Sequence, residues 1–479
     1  MGCAAGAGHD MNVPPTVAGG IVYPLQERLV GRPTFDMLAS LERTQWLDRR
    51  GIENVQLDKL QRLLACATAH CPWHRHRIEQ AGLGGHELAK LSDLAQLPTM
   101  TKADAAAHRD ELVWRGVPGG AHKYNTGGSS GQPLIFYFGR ERQASDAAGR
   151  MRARRWWGVE PGEREVYLWG APVELSKTDW VKTVRDRLIN QLVLNAFAMS
   201  PERMDGYLDA IESYRPRCIY GYASSVALLA AHARERGRRL ALPGLKVVCT
   251  TGEPLYEHQR ALIREVYGAP VANEFGSRDI GFTAHETPEG QMLLISESIV
   301  LEVLDDAGQP VPPGEVGEAV MTGLCSAAQP FIRYRTGDMV RLSPEPDRGG
   351  RGLHVIAEVV GRSTDFLVRA DGTIMHALAG IYVVRGVEGV AEFKLVQHDL
   401  RDVEVLVVTD PRWTPDGEAA IETGLQRRLG SDVRVAVRRV EHIAPEASGK
   451  HRYVVSHVPL RGQLGVAASN PHLRSNPNA

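Results

Sequence analysis

Between residues 134 and 274 the chain alternates short apolar runs with longer helical stretches, and no other feature restricts its fold as much. The runs are Leu134–Phe138, Glu165–Trp169, Leu192–Phe197, Cys218–Tyr220, Leu245–Cys249 and Val271–Glu274. Between several of them lie Arg203–Tyr214, Ser224–Arg236 and Leu255–Tyr267, which have helical texture. Strand, helix, strand at this spacing predicts α/β layering on a largely parallel sheet.

The flanks read differently. Residues 35–80 are mostly helical, and Leu57, Leu60, Leu64, Ala67 and Cys71 repeat at the three-to-four spacing of a core-facing stripe. Pro72 is expected to end or kink that helix. Met292–Ile295, Val300–Val303, Gly317–Thr322 and Leu353–Val359 predict a smaller β subdomain. Beyond a boundary near 360–365, strands at Phe393–Gln397, Glu404–Thr409 and Val433–Val440 and a helix at Glu418–Leu429 repeat the α/β pattern on a smaller scale. The expected organisation is a flexible N-terminus (1–20), a large N-terminal domain (21–360), a small C-terminal domain (361–460) and a loose tail (461–479).

Composition excludes several classes. The 479 residues are too many for one ordinary domain. A net charge of -1 gives no general attraction to nucleic acid or to anionic membrane. No apolar run is long enough to span a bilayer. The six cysteines form no CxxC pair, which fits a reducing compartment and a cytoplasmic protein. Cys66 and Cys71, with His70, His74 and His76 nearby, read as helix residues rather than as a metal site.

Three segments carry candidate chemistry. Residues 124–133, Tyr-Asn-Thr-Gly-Gly-Ser-Ser-Gly-Gln-Pro, precede an apolar run. Their glycines let backbone N–H groups converge on a phosphate, and the hydroxyls add donors. The segment is neither a Walker loop nor a dinucleotide fingerprint, and it reads equally well as a surface hairpin turn. Residues 273–281, Asn-Glu-Phe-Gly-Ser-Arg-Asp-Ile-Gly, follow a strand and put Asp279 at its C-terminal edge, where ligands sit in open sheets. Residues 331–338, Phe-Ile-Arg-Tyr-Arg-Thr-Gly-Asp, place Asp338 after a glycine turn between strands, with Arg333 and Arg335 as a solvated strand face in the plainer reading. Basic residues are mostly arginine, and only Lys394 and Lys450 follow Lys246. Lys450, in Ser-Gly-Lys, is therefore a candidate mobile point charge, with plain solvent exposure as the alternative.

Taken in order, TGGSSGQP (126–133), NEFGSRD (273–279), FIRYRTGD (331–338), GRSTDFLV (361–368) and SGK (448–450) resemble the adenylate-forming superfamily of acyl-CoA synthetases. Within it, the resemblance is to the phenylacetate–CoA ligase family and its relatives in capsular polysaccharide clusters, over roughly 30–455. It implies an α/β adenylate-forming domain with layered sheets and a β subdomain, plus a mobile α+β C-terminal domain. It also implies that ATP and a carboxylic acid give an acyl-adenylate, which is then transferred to coenzyme A.

By that resemblance Thr126, Gly127, Gly128, Ser129, Ser130 and Gly131 would hold the phosphates. Glu253, Phe275 and Gly276 would border the adenine, and Asp338 would hold the ribose. Asp279 would place Mg²⁺ where the family usually has glutamate. Arg362 would reach the ribose or phosphate, and Lys450 would meet the acyl carboxylate and α-phosphate. Tyr220, Tyr222, Ala223 and Phe275 would wall the acid, expected to be aromatic. Thr364 departs from the family's acidic hinge, and residues 369–376 depart from its usual glycine-rich stretch. The acceptor therefore stays open between coenzyme A, a carrier-protein thiol and an amine. A homodimer is the expected assembly, and a non-catalytic nucleotide-binding or scaffolding protein is the alternative class.

Overall fold

The computed structural model describes residues 13–83, 88–125, 134–170, 184–196, 199–240, 242–253, 255, 257–305, 307–360, 366–371, 373–441, 443 and 454–458. Strands β1 (His122–Asn125) and β2 (Ile135–Phe138) pair as an antiparallel hairpin. Strands β3 (Glu165–Trp169), β4 (Gln191–Asn195), β5 (Cys218–Tyr222), β6 (Val247–Thr251) and β7 (Val271–Ser277) form the predicted parallel layer, in the order β7-β6-β5-β3-β4.

The sheet does not stop at β7. Strands β8 (Gly281–Glu286), β9 (Met292–Leu294), β10 (Ile299–Leu304), β11 (Val316–Gly323), β12 (Tyr334–Leu342) and β13 (Val355–Val360) continue it, giving the order β10-β11-β12-β13-β9-β8-β7. The strands expected as a smaller β subdomain are thus the antiparallel half of one 11-stranded sheet. β7 joins the halves: Val271–Asn273 pairs parallel with β6, and Glu274–Ser277 pairs antiparallel with β8.

The two faces of the parallel half are covered differently. Val166, Leu168, Ile219, Val248 and Val271 pack on one face against the helices Pro201–Tyr214, Ala223–Glu235 and Glu257–Tyr267. The first of these helices begins at Ser200, whose side chain accepts from the Arg203 amide, with Pro201 at the first helical position. The helix Arg140–Trp156 meets the other face with arginines, and Arg150 and Arg154 lie over the ring of Tyr220.

The N-terminal helices are Thr34–Thr44, Arg49–His70 and Pro72–Gln80. Leu60, Leu64 and Ala67 pack with Leu94, Leu97, Val300 and Ile332. Cys71 leaves the helical region, with φ -122° and ψ 96°, and Pro72 starts the next helix. Residues 15–20 are helical, with Ala18 buried and Pro15–Val17 exposed, and the Asn190 side chain donates to the Val13 carbonyl at 2.8 Å. A Cβ on Gly19 would run into the Pro161 carbonyl, so only glycine allows this approach.

The C-terminal unit has a hairpin of β14 (Phe366–Val368) and β15 (Ile374–His376). A four-stranded sheet follows, ordered β18-β17-β16-β19, from β16 (Val390–Gln397), β17 (Asp402–Thr409), β18 (Arg434–Arg439) and β19 (Val454–Ser456). Phe393, Leu395, Val405 and Val407 pack against Ile421 and Leu425 of the helix Asp416–Leu429. Among the described residues, no helix is long and apolar enough to cross a membrane, and no cluster of His, Cys, Asp or Glu is arranged to hold a metal ion.

Candidate functional site

The C-terminal ends of β5, β6 and β7 and the 278–280 turn into β8 lie at one edge of the sheet. This edge is where an open α/β sheet leaves backbone groups and side chains free for a ligand. The turn is built on close approach. The β7–β8 register shifts between Phe275 and Gly276, and a Cβ on Gly276 would collide with the Gly281 carbonyl. Gly281 has φ +107°, and a Cβ there would meet Arg142 and Asp146.

Asp279 sits in this turn with its carboxylate oriented from two sides. The Tyr334 hydroxyl donates to Oδ2 at 2.8 Å, and the Ile280 amide donates to Oδ1 at 3.2 Å. Arg142, itself paired with Asp146 at 3.0 Å and lying over the Phe138 ring, donates to the Asp279 carbonyl at 3.2 Å. The Arg278 guanidinium reaches the Asn125 carbonyl at 3.4 Å. Arg142 follows β2 and Asn125 ends β1, so both flanks of the glycine-serine loop are tied to the Asp279 turn. Thr126, Gly127, Gly128, Ser129, Ser130 and Gly131 themselves lie outside the described residues. β1 and β2, on either side of them, pair antiparallel.

Asp338 lies within β12, not in a turn between strands. Gly337 keeps a left-handed φ of +75° inside the strand, and opposite it the β11 register shifts between Glu318 and Val320. The Thr336 hydroxyl accepts from the Asp338 amide at 3.1 Å and donates to the Ala319 carbonyl at 3.0 Å. Met339 pairs with Val360, so the chain leaves β13 beside Asp338. Arg362, two residues further on, lies outside the described residues.

Arg333 corrects the solvated-face reading. It is buried, has φ +53°, and holds Glu302 through two bonds of 2.9 Å. The Met100 amide donates to the Arg333 carbonyl at 2.7 Å, and Met100 accepts from the Arg335 amide at 2.8 Å. A segment more than 200 residues upstream thus clamps the motif that carries Tyr334 and Asp338.

Of the acid-side candidates, Tyr220, Tyr222 and Ala223 lie together at the end of β5, whereas Phe275 packs with the separate cluster of Leu134, Phe136 and Ile280. Tyr220 and Tyr222 project from one face of β5, and Trp169 stacks on Tyr222 at 4.4 Å. Burial raises the pKa of both tyrosine hydroxyls, so they remain neutral donors. Ala223 opens the helix behind them and is buried. The N-cap of this helix is Tyr222, with no side-chain cap bond of its own. Instead the Glu253 carboxylate accepts from the Ser224 amide at 3.0 Å and from its hydroxyl, an anion seated at a helix N-terminus. Glu253 therefore braces the β5 and β6 ends whatever else it touches. Lys450 lies outside the described residues, and β19, shortly beyond it, pairs parallel with β16.

Sequence reasoning missed Glu274. It is a charged residue inside a buried strand, and it accepts from Tyr220 at 2.9 Å and from Thr251 at 3.0 Å. A carboxylate amid β-forming residues, two positions before the strand's last glycine, was the available signal.

A model described as AMP-binding enzyme matches residues 192–328, and one described as CapK C-terminal domain matches 367–457. Protein CapK of Staphylococcus aureus is 23% identical over 387 residues, covering 80% of this chain and 84% of that protein. Phenylacetate-coenzyme A ligase of Thermus thermophilus is 26% identical over 336 residues, covering 67% and 73%. Among solved structures, 2-hydroxyisobutyryl-CoA ligase in complex with 2-HIB-AMP and CoA superposes with a TM-score of 0.58 at 22% identity, over 88% of this chain and 92% of that one. The likeness in fold takes in both the large α/β layer and the small C-terminal unit. Over most of its length the chain is similar to Protein CapK and to the phenylacetate-coenzyme A ligases.

Proposed function

We propose that this chain uses ATP to activate a carboxylic acid as an acyl-adenylate, releases pyrophosphate, and passes the acyl group to coenzyme A in the cytoplasm. The observation that carries this reading is convergence. Asp279, both flanks of the glycine-serine segment and the strand holding Asp338 are linked through backbone and side-chain bonds around one sheet edge.

In the proposed reaction, an acid oxygen attacks the α-phosphorus of ATP and pyrophosphate leaves. The loop amides would take the outer phosphates and Asp338 the ribose hydroxyls. Lys450, carried by the C-terminal domain, would offset charge at the α-phosphate. The same domain would then swing to withdraw Lys450 and admit the thiol. Mg²⁺ suits the donor set at the turn, because Asp279 offers a hard carboxylate pre-oriented by Tyr334. When bound, it would neutralise phosphate charge. The chain's own residues would orient the acid and exclude water from the adenylate.

The test is acid-dependent pyrophosphate exchange with coenzyme A omitted. Exchange with some acid is expected, and none across a broad acid library would refute activation. Adding coenzyme A, an amine or a carrier protein afterwards identifies the acceptor. Lys450→Ala should lower exchange by about 100-fold or more, while transfer from a supplied adenylate changes little. Equal loss in both half-reactions would exclude the swinging-lysine role.

A further inference from the structure

We propose that Glu274 and Arg150 form the floor of the acid pocket, and that the acid is aromatic and carries a hydroxyl at the end remote from its carboxylate. This rests on the adenylation reading and names the substrate class for that same site.

The argument begins with strand parity. Tyr220 and Tyr222 on β5 pair with Cys249 and Thr251 on β6, and Thr250 pairs with Asn273 on β7. Thr251 and Glu274 therefore follow on the same face as the two tyrosines. This is the face covered by the helix Arg140–Trp156, and it passes directly beneath the strand ends that present Tyr222 and lead to Asp279.

One oxygen of Glu274 is satisfied by Tyr220 and Thr251. The other, Oε2, is buried and has no hydrogen-bond partner among the described residues. It lies 3.6 Å from Nε of Arg150, which is buried and likewise unbonded. Arg150 is held in place, with its guanidinium 5.7 Å from the Tyr220 ring centre and 5.4 Å from that of Phe282. Its side chain is 30% exposed, against 5% for Glu274, and it borders a cavity that Tyr23, Glu165 and Tyr167 also line. Arg154, one turn along the helix, is committed to Glu165 and to the Tyr167 hydroxyl at 2.7 Å. Leaving a buried carboxylate oxygen and a guanidinium N–H both unbonded is costly, so the pair calls for a third group.

Chemistry selects that group. It must donate to Glu274 and accept from Arg150. An ammonium would only donate and would face the arginine's charge. A carboxylate would only accept and would face the glutamate's. A hydroxyl does both and is neutral. The walls select the rest of the molecule: Trp169 stacks on Tyr222 at 4.4 Å and on Tyr220 at 5.6 Å, which favours a flat ring.

The experiment uses the full-length chain and pyrophosphate exchange without coenzyme A, on matched pairs: benzoate with para-hydroxybenzoate, and phenylacetate with para-hydroxyphenylacetate. We expect the hydroxylated member of at least one pair to be preferred by about 100-fold or more in kcat/KM, as for a site built to bond a substrate hydroxyl. Glu274→Leu should abolish that preference, and Glu274→Gln, which keeps the side chain's size, should weaken it. Equal or better use of the unsubstituted acids by the unaltered chain overturns the proposal and leaves bound water as the partner of the pair. Exchange confined to aliphatic acids overturns it as well. Absence of exchange with any acid overturns the adenylation reading itself and this inference with it.

Discussion

The parallel half of the sheet has two faces that do different work. One carries Val166, Leu168, Ile219, Val248 and Val271 and is sealed by three helices with an apolar core. The other carries Glu165, Tyr167, Tyr220, Thr251 and Glu274 and is met by Arg150 and Arg154. Parallel sheets covered on both sides usually read as near-continuous apolar runs, because burial rewards carbon on both faces. Charge on one face therefore departs from what folding alone would select. The departure is concentrated on the face that runs to Tyr222 and the Asp279 turn. The apolar face supplies stability without choosing a ligand, and the polar face gives up some stability to hold groups in fixed directions.

Two substitutions would break that contrast if it is wrong. Arg154→Met leaves the Glu165 carboxylate buried without its cation, and the two side chains are only 6% and 7% exposed. Removing one partner of such a pair should cost about 3–5 kcal/mol, measured by denaturant unfolding. A loss below about 1 kcal/mol would mean that water or relaxation satisfies this face, and the contrast would fail. Ile219→Ala, on the apolar face of the next strand, should cost about 3 kcal/mol through lost contact and a residual cavity. It should leave the ranking of acids in the exchange assay unchanged. A changed ranking would show that the apolar face also reads the substrate.

What was legible in the sequence follows the same divide. β3 starts and stops where its apolar run does, and β5 and β7 begin where theirs do, because one buried face suffices to mark a strand. Asp279 and Asp338 stood out as candidates because a carboxylate close to glycine beside a strand is a local feature. The helix Arg140–Trp156 was not legible. It carries six arginines, and its buried Arg142, Arg152 and Arg154 depend on Asp146, Glu297 and Glu165. Glu297 is 145 residues from its partner, so no local window reveals the pairing. The pairing of Arg333 and Arg335 was hidden for the same reason, since Glu302 and Glu318 neutralise those arginines from other strands. Continuity of the sheet through β7 was also hidden, because one strand pairing parallel on one side and antiparallel on the other has no sequence signature.

The smallest expected effect separates positioning from reading at the sheet edge. Tyr334 is buried among Phe136, Phe331 and Ile280, and its hydroxyl holds Oδ2 of Asp279 at 2.8 Å. Tyr334→Phe keeps the ring and its edge-on contact with Phe331, whose centre is 4.9 Å away, and removes the hydroxyl's bond to the carboxylate. A hydrogen bond to a charged group is worth about 1.5 kcal/mol, so the Mg²⁺ concentration for half-maximal exchange should rise about tenfold. The melting temperature should change little, and the gain in ATP affinity on adding Mg²⁺, measured by calorimetry without acid, should shrink. Asp279→Asn sets the ceiling, since it removes the charge itself. The preference between hydroxylated and unsubstituted acids should not move with Tyr334→Phe, because Glu274 and Arg150 face the opposite end of the acid. If that preference shifted while the Mg²⁺ requirement stayed fixed, Tyr334 would belong to the acid pocket, and the division between a face that reads the acid and a turn that places the metal would have to be redrawn.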